Sequence, residues 1–260
     1  MRPTRALRAG LLQVAGVLVL LGGWQLVTKV GLVSPSDLPT MSAAARSLGH
    51  EVADGAIWPL VKATVGTWAF GLGIVVLGGV ALGLVIGAIR PLSLALGGVI
   101  EFLRPVPAVA VIPLAVVLLG DGQVSAVFLV VTGALWPVLI QTIAGVRALD
   151  AVSLETASVF GLSRASVYRF VRLPGAVPFI MTGVRLSSAI ALILAVTAEL
   201  IIGSPGLGQA IGVAEQGANL PLMYGLIVAS GILGYLLNVL MELVGTALTP
   251  WNRVRGALVL

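Results

Sequence analysis

Cysteine is absent from this sequence of 260 residues, and histidine occurs once, as His50. Without cysteine the chain forms no disulfide bond, no thiolate metal site and no cysteine nucleophile. A single histidine and ten acidic residues dispersed along the chain do not supply the cluster of ligands that a metal ion needs. The sequence therefore excludes cysteine chemistry and predicts no metal site.

Charged residues are also scarce, at 10% of the chain, whereas 58% of the residues are hydrophobic and the mean hydropathy is +1.12. Soluble globular domains carry about 25% charged residues. Apolar runs of about 20 residues, the length that a helix needs to cross roughly 30 Å of hydrocarbon, recur along the sequence. The composition predicts an all-α membrane protein in which residues 1–260 form a single transmembrane domain.

The apolar runs predict about six membrane-spanning helices, on a window of about 19 residues. The predicted spans are 10–30, 64–89, 93–119, 124–144, 177–202 and 221–247. The first is an extra span preceding a core over residues 60–250. We expect it to be retained, since no small-residue cleavage site follows Val27. Residues 34–59, between the first two spans, predict a short amphipathic helix on the membrane surface.

The 15 basic residues are scattered between apolar segments, although the net charge is +5. Nucleic acid is therefore not an expected partner. Arginines precede the first span and fall at 90, within 147–172, and at 253 and 255. By the positive-inside rule, this pattern predicts that the N-terminus and the C-terminus are both cytoplasmic.

Small residues recur every four positions in two of the predicted spans. The second span carries Gly79, Gly83 and Gly87, and the fifth carries Gly183, Ser187, Ala191 and Ala195. Such ridges allow helix backbones to approach closely. We expect them to pack within one bundle rather than to form a specific dimer contact.

Three prolines, Pro105, Pro107 and Pro113, fall in the third predicted span. Each proline lacks a backbone donor, so the sequence predicts a kinked helix. The kink is either a movable part of a gate or a static bend stabilised by neighbouring helices.

Charged residues within membrane spans are costly and are therefore functional candidates. They are Glu101, Arg104, Arg185, Glu199 and Glu242. Glu101 and Arg104 are expected to pair, and Glu242 to reach the cytoplasmic interface. Glu199, near the outer end of the fifth span, is expected to order an outer gate rather than to bind an anionic substrate. The candidate gate or translocation-path residues are thus Pro105, Pro107, Pro113 and Glu199.

Residues 149–174, between the fourth and fifth spans, are polar enough to lie outside the bilayer and predict a helix-turn-helix. Asp150 is the expected cap of the first helix, Gly161 its C′ residue, and Ser163 the N-cap of the second. The apolar side of the first helix would consist of Leu154, Ala157 and Val159. An amphipathic helix resting on lipid headgroups is the alternative interpretation.

This segment resembles a known signature. The stretch Glu155-Thr156-Ala157-Ser158-Val159-Phe160-Gly161, followed by Val171-Arg172-Leu173-Pro174, is similar to the EAA motif of permeases from binding-protein-dependent ABC importers. That motif reads Glu-Ala-Ala, three residues, Gly, nine residues, Ile, one residue, Leu-Pro. Thr156 replaces the first alanine and Val171 the isoleucine. Over residues 34–252 the chain resembles the branch that imports nitrate, sulfonates, taurine and related small organic anions or heterocycles.

The resemblance implies a type I importer (MetI-like) permease fold with a cytoplasmic coupling helix, in the bacterial inner membrane. It implies two ABC ATPase subunits as partners, a second copy of this chain, and a periplasmic or lipid-anchored binding protein. Membrane lipid would surround the subunit. The residues expected to dock on the ATPase are Leu154, Glu155, Ala157, Gly161, Leu162, Arg164, Leu173 and Pro174.

The chain is not expected to be an enzyme. It contains no Gly-x-x-x-x-Gly-Lys-Ser/Thr phosphate loop, so ATP and Mg²⁺ would be bound by the partner ATPase and no cofactor by this chain. Two other functions remain open: a secondary transporter driven by an ion gradient, and a membrane scaffold that recruits a cytoplasmic partner. Uptake with and without ATP would discriminate among the three.

Overall fold

A computed structural model of the chain describes residues 3–34, 36–148, 155–157 and 159–250, and its regular structure over these ranges is entirely helical. The helices are α1 (Pro3–Lys29), α2 (Met41–Ala53), α3 (Ile57–Ala88), α4 (Arg90–Leu103), α5 (Ile112–Leu119), α6 (Gln123–Arg147), α7 (Arg164–Val167), α8 (Leu173–Ile202), α9 (Leu207–Gln216) and α10 (Leu220–Leu248). A 3₁₀ turn, Ala108–Val111, precedes α5, and a π-helical turn, Tyr168–Arg172, joins α7 to α8.

Among the described residues, four helices are long and apolar enough to cross a membrane: α3, α6, α10 and the continuous helix Ala165–Ile202. The bent pair Arg90–Leu103 and Ala108–Leu119 passes the same test when taken together. These five segments match the second to sixth predicted spans. The predicted first span, 10–30, falls within α1, whose apolar part Ala15–Lys29 is shorter than the other spans.

The third predicted span is two helices rather than one kinked helix, and their axes differ by 85°. Pro105 and Pro107 lie in the break, where they lack donors and disfavour helical geometry in the residues before them. Pro113 lies in the first turn of α5, where its missing N–H leaves no helical bond unmade. Pro113 therefore starts a helix, contrary to the prediction that it kinks one.

The core is a three-helix arrangement in which α3 and α8 both pack against α6. A Cβ atom added to Gly83 of α3 would lie 2.5 Å from Cβ of Thr142 in α6, so only glycine fits there. On α8, Ser187 donates a hydrogen bond to the Ala134 carbonyl of α6 at 2.6 Å. The predicted small-residue ridges are therefore confirmed as contacts within one bundle.

The amphipathic helix predicted within residues 34–59 is confirmed as α2, which is capped by the Thr40 hydroxyl. Its buried Ala44 packs on Gly225 of α10, where an added Cβ would lie 2.9 Å from the Ala44 carbonyl oxygen. Trp24 of α1 donates to the Pro39 carbonyl at 3.0 Å, and its ring lies tilted against that of Tyr224 of α10 with the centroids 5.9 Å apart. α1 is thus attached to the core through α2 and α10.

We predict that Gly83→Ala lowers the melting temperature of the purified protein, because the new methyl group would clash with Thr142 and the Leu139 carbonyl. Overpacking of this kind costs about 1–3 kcal/mol. Gly73→Ala on the same helix is the matched control, since nothing lies within 4 Å of its added Cβ. Thermal unfolding in detergent, followed by tryptophan fluorescence, should separate the two variants. Equal melting temperatures would contradict the close packing of α3 on α6.

Candidate functional site

The turn at Gly161 has the geometry of a helix C-terminus that needs glycine. Gly161 has φ +65, and the backbone bonds from Phe160 N to Thr156 O and from Leu162 N to Ala157 O, both 3.0 Å, close the preceding helical turn. Nothing lies within 4 Å of a Cβ added to Gly161. Glycine is therefore required by backbone conformation and not by space, as predicted for the C′ position.

The predicted N-cap at Ser163 is also present. Its hydroxyl accepts a hydrogen bond from Ser166 N at 3.2 Å, and its carbonyl accepts one from Val167 N at 2.9 Å. These bonds satisfy donors that the start of a helix leaves free. Asp150, the cap predicted for the first helix, lies outside the described residues.

The second half of the predicted helix-turn-helix is not a separate short helix. α7, the π-helical turn and α8 form one helix, Ala165–Ile202, of 38 residues, so the fifth span begins well before residue 177. Pro174 lacks the N–H that would bond to the carbonyl four residues earlier, and its ring would clash with that carbonyl. The wider π-helical turn beside Pro174 accommodates this without ending the helix.

The predicted docking residues are distributed unevenly between surface and interior. Glu155, Gly161, Leu162, Leu173 and Pro174 are exposed, whereas Ala157 is 4% exposed. Arg164 is the first residue of α7, and Leu154 lies outside the described residues.

Three apolar side chains project from the Gly161 turn. Val159 and Phe160 are 84% and 78% exposed, and Leu162 is also exposed. We call these three residues the turn patch. The prediction that Val159 and Ala157 belong to one apolar side of the helix is wrong, because residues two apart point in different directions on a helix. An aromatic residue immediately before the glycine was the sequence signal for this patch.

Tyr168 anchors this end of the long helix and was not predicted. Its hydroxyl donates to the Leu84 carbonyl near the end of α3 at 3.2 Å. Arg147, at the end of α6, donates to the Ser93 hydroxyl of α4 at the same end of the bundle. The turn patch is therefore attached to a braced set of helix ends.

Glu199 lies at the opposite end of the long helix and is fully buried. Its Oε2 accepts hydrogen bonds from the Thr64 hydroxyl at 2.8 Å and from Gly208 N at 3.0 Å. The Thr64 hydroxyl in turn accepts one from Leu207 N at 2.9 Å. Glu199 thus joins α8 to α3 and to the first turn of α9. Thr64, 135 residues away in sequence, was not predicted.

Two glycines make room for the Glu199 carboxylate. A Cβ added to Gly206 would collide with the carboxylate itself, and one added to Gly208 would collide with the Val196 carbonyl. The 203–208 turn is therefore built around the acid. Within the described part of the chain, Glu199 Oε1 and the Ser204 hydroxyl are buried without a hydrogen-bond partner.

The candidate gate residues are not brought together into one site. Pro105, Pro107 and Pro113 are exposed, and they lie on the α4–α5 segment rather than beside Glu199. Ala108, just after Pro107, packs against Gly133 of α6. Leu194 of α8 packs against the same glycine.

Among the other charged candidates, one ion pair was not predicted and one predicted pair does not form. Glu242 forms an ion pair that was not predicted, because its Oε2 lies 3.1 Å from Nη2 of Arg185. Glu101 and Arg104, both among the described residues, form no ion pair with each other. A partner on another helix, 57 residues away for Arg185, cannot be found from local spacing.

Comparisons with known proteins identify the family. Residues 79–254 match the family described as the binding-protein-dependent transport system inner membrane component. The chain is 31% identical to the taurine transport system permease protein TauC of Escherichia coli (strain K12), over 93% of this chain and 90% of that protein. It is 32% identical to a putative aliphatic sulfonates transport permease protein, SsuC of Bacillus subtilis (strain 168), over 90% of this chain and 85% of that protein.

A third relative is the nitrate import permease protein NrtB of Leptolyngbya laminosa, which is 30% identical over 89% of this chain and 85% of that protein. Among solved structures, a chain of the MetNI methionine ABC transporter in an inward-facing conformation superposes with a TM-score of 0.60 at 20% identity. The match covers 74% of this chain and 94% of that one, and it supports the MetI-like fold.

The EAA-like turn, the apolar helices and these matches lead to the same family. The chain belongs to the binding-protein-dependent transport system inner membrane components, and it is an ABC importer permease of the branch that contains the taurine, sulfonate and nitrate permeases.

Proposed function

We propose that this chain forms the translocation path of an importer for a small anionic or zwitterionic solute, and that a separate ATPase drives it by alternating access. The observation that carries the proposal is the Gly161 turn, with its EAA-like sequence and its exposed turn patch. Apolar side chains that project from a protein surface are typical of partner interfaces. The partner would be one of two ATPase subunits, which bind the ATP and Mg²⁺.

The charge distribution supports the orientation that this role requires. Arg90, Arg147, Arg169 and Arg172 all lie at the Gly161 end of the helices. Basic residues concentrate on the cytoplasmic side of membrane proteins. We infer that the Gly161 end faces the cytoplasm and the ATPase, and that the Glu199 end faces the binding protein.

The continuous helix supports a mechanical link between these ends. The same 38-residue helix begins just after the Gly161 turn and contains Glu199 three residues before its end. A displacement of the docked turn would therefore tilt a helix that is bonded to the 203–208 turn. In two such subunits facing each other, this tilt would open the path alternately to either side.

The proposed substrate class follows from the relatives. Taurine, aliphatic sulfonates and nitrate are small and carry negatively charged oxygen atoms, and these are the solutes named for proteins similar to this chain along most of its length. A periplasmic or lipid-anchored binding protein would deliver the solute.

The function is tested by purifying the tagged chain from its native membranes, identifying copurifying proteins by mass spectrometry and reconstituting the complex in vesicles. We expect an ATPase with a phosphate loop, and uptake of labelled taurine, sulfonate or nitrate that requires ATP. Uptake driven by an ion gradient without ATP would support a secondary transporter instead. A bound ATPase without any uptake would support a scaffold.

We predict that Gly161→Val lowers both ATPase retention and ATP-driven uptake at least tenfold. A β-branched residue resists φ +65, so the turn would change shape and the turn patch would move. Gly55→Val is the matched control, because Gly55 has φ +77 and equally open surroundings at the start of α3. Similar melting temperatures with loss of ATPase only in Gly161→Val would support docking. Retention of the ATPase by Gly161→Val would contradict it.

We further propose that Glu199 orders the outer turn, and we predict that Glu199→Gln accelerates amide hydrogen exchange at Leu207 and Gly208 about tenfold and lowers uptake. The charge-assisted bonds from Thr64 and Gly208 would be replaced by weaker neutral ones. Thr64→Val should have the same effect, since it removes the hydroxyl between the acid and Leu207 N.

Thr197→Val is the control for these variants, because the Thr197 hydroxyl bonds only to the Ile193 carbonyl of its own helix. Hydrogen exchange with mass spectrometry would report the turn, and ATPase retention should stay at the wild-type level in all three variants. Unchanged exchange and unchanged uptake in Glu199→Gln would refute the ordering role.

A further inference from the structure

A polar cluster lies in the groove between α8 and α10. Nη2 of Arg185 is 3.1 Å from Oε2 of Glu242, and Nε of Arg185 donates to Oδ1 of Asn238 at 3.1 Å. Nη1 of Arg185 and Oε1 of Glu242 have no further partner among the described residues. The two charged side chains are 46% and 54% exposed, so the pair is open on one side.

This pair lies within two membrane-spanning helices, with Arg185 near the middle of α8 and Glu242 in the last two turns of α10. Arg185 is about 18 Å along α8 from Leu173 and about 26 Å from Ile202, at 1.5 Å per residue. Glu242 is about 9 Å from the end of α10 at Leu248. Charged side chains at such positions face a protein surface or a water-filled cavity rather than lipid.

The structure also indicates which face of the bundle carries the pair. The buried side of α8 packs against α6 and α3 through residues such as Gly183 and Ser187. Its uncovered stripe includes Thr182, Arg185, Leu186, Ala189 and Ile193. Since α8 has this open stripe and the stripe carries a charge, it is the side that would line the path in the proposed pair of subunits.

A cavity accompanies the pair and is large enough for a small solute. It has a volume of about 250 Å³ and is lined by Arg185 and Glu242 together with Thr182, Thr246 and Thr249. A second, mostly apolar cavity of about 450 Å³ lies between the same helices and includes Asn238, which bonds to Arg185.

We propose that Arg185 and Glu242 form a binding site for a small zwitterionic acid, whose anionic group contacts the free Nη1 side of Arg185 and whose ammonium group contacts Glu242. A simple anion would be attracted by the guanidinium but repelled by the adjacent carboxylate, and a simple cation would meet the reverse. A molecule that carries both charges complements both groups. This inference rests on the proposed function and narrows its substrate class to aminosulfonic or amino acids.

The test measures equilibrium binding to the permease–ATPase complex in lipid nanodiscs, without a binding protein. Radiolabelled taurine is the probe, and isethionate, which has a hydroxyl in place of the ammonium group, is the competitor. We expect isethionate to bind at least tenfold more weakly than taurine. Glu242→Gln should remove that difference by weakening the binding of taurine alone. Arg185→Gln should weaken the binding of both taurine and isethionate. Glu215→Gln, on the exposed surface of α9, is the control and should change the affinity for neither ligand.

A double variant, Arg185→Met with Glu242→Leu, keeps the test decisive if the single variants fold poorly. It leaves no unpaired charge in the groove, so its stability should be near that of the wild type. We expect it to retain the ATPase and the oligomeric state, measured by native mass spectrometry, and to lose taurine binding. Retained binding in the double variant, or dissociation of the subunits, would overturn the proposal in favour of a structural or interface role for the pair.

Failure of this inference is distinguishable from failure of the proposed function. If the wild type and the double variant take up taurine at the same rate with ATP, the site is refuted and the importer role stays intact. Absence of ATP-driven uptake by the wild type would refute the importer role. Because nanodisc binding is measured without ATP, its dependence on the pair would still confirm or refute the site.

Discussion

Close backbone contact among α3, α6 and α8 constrains where every other element can lie. Lipid chains are as apolar as the helix surfaces, so helices in a membrane gain little from apolar burial against each other and associate by packing and hydrogen bonds. Gly83 and Gly183 bring backbones together at distances that a methyl group would prevent, and Ser187 adds a buried hydrogen bond between α8 and α6. The remaining helices attach to this core by fewer contacts.

This core is supplemented by hydrogen bonds that join α3 to the long helix at both ends. The two helices are bonded near the Gly161 end by Tyr168 and the Leu84 carbonyl, and at the other end by Glu199 and Thr64. Thr64 and Leu84 are about 30 Å apart along α3. A force applied beside Gly161 would therefore displace both helices together rather than bend one of them. The α4–α5 segment, broken at Pro105 and Pro107, is the part of the bundle least able to transmit such a displacement along its axis.

Local chemistry made some features predictable from sequence. The apolar runs located the spans, and the order of Gly161 and Ser163 predicted a C′ glycine followed by an N-cap, because both depend on residues within one turn. The continuation of α7 into α8 was missed, since proline is normally a sign of a helix boundary and the π-helical turn next to Pro174 overrides it. Val159 was misplaced because residues two apart on a helix point in different directions, so Val159 does not share a side with Ala157.

Long-range partners were beyond prediction for a different reason. Hydropathy gives the depth of a residue in the membrane but not the rotation of its helix about its axis. Thr64 and Glu199 meet across 135 residues, and Arg185 meets Glu242 across 57. Each of these four residues lies in a predicted span, yet no local pattern indicates that they face one another.

The intramembrane charges of this chain thus divide into two kinds, and their exposure separates them. Glu199 is buried, and one of its oxygens is satisfied by two donors from the protein, so it has the surroundings of a structural tie. Arg185 and Glu242 are about half exposed, retain unpaired polar atoms and border a cavity, so their surroundings are those of a site left open for a ligand. Glu199 and Arg185 both lie on α8, where Glu199 faces α3 and Arg185 faces Glu242 of α10. In the proposed importer, a single helix would therefore hold the bundle together on one side and present a charged surface to the path on the other, which is the arrangement that a subunit needs if the element that moves is also the element that meets the solute.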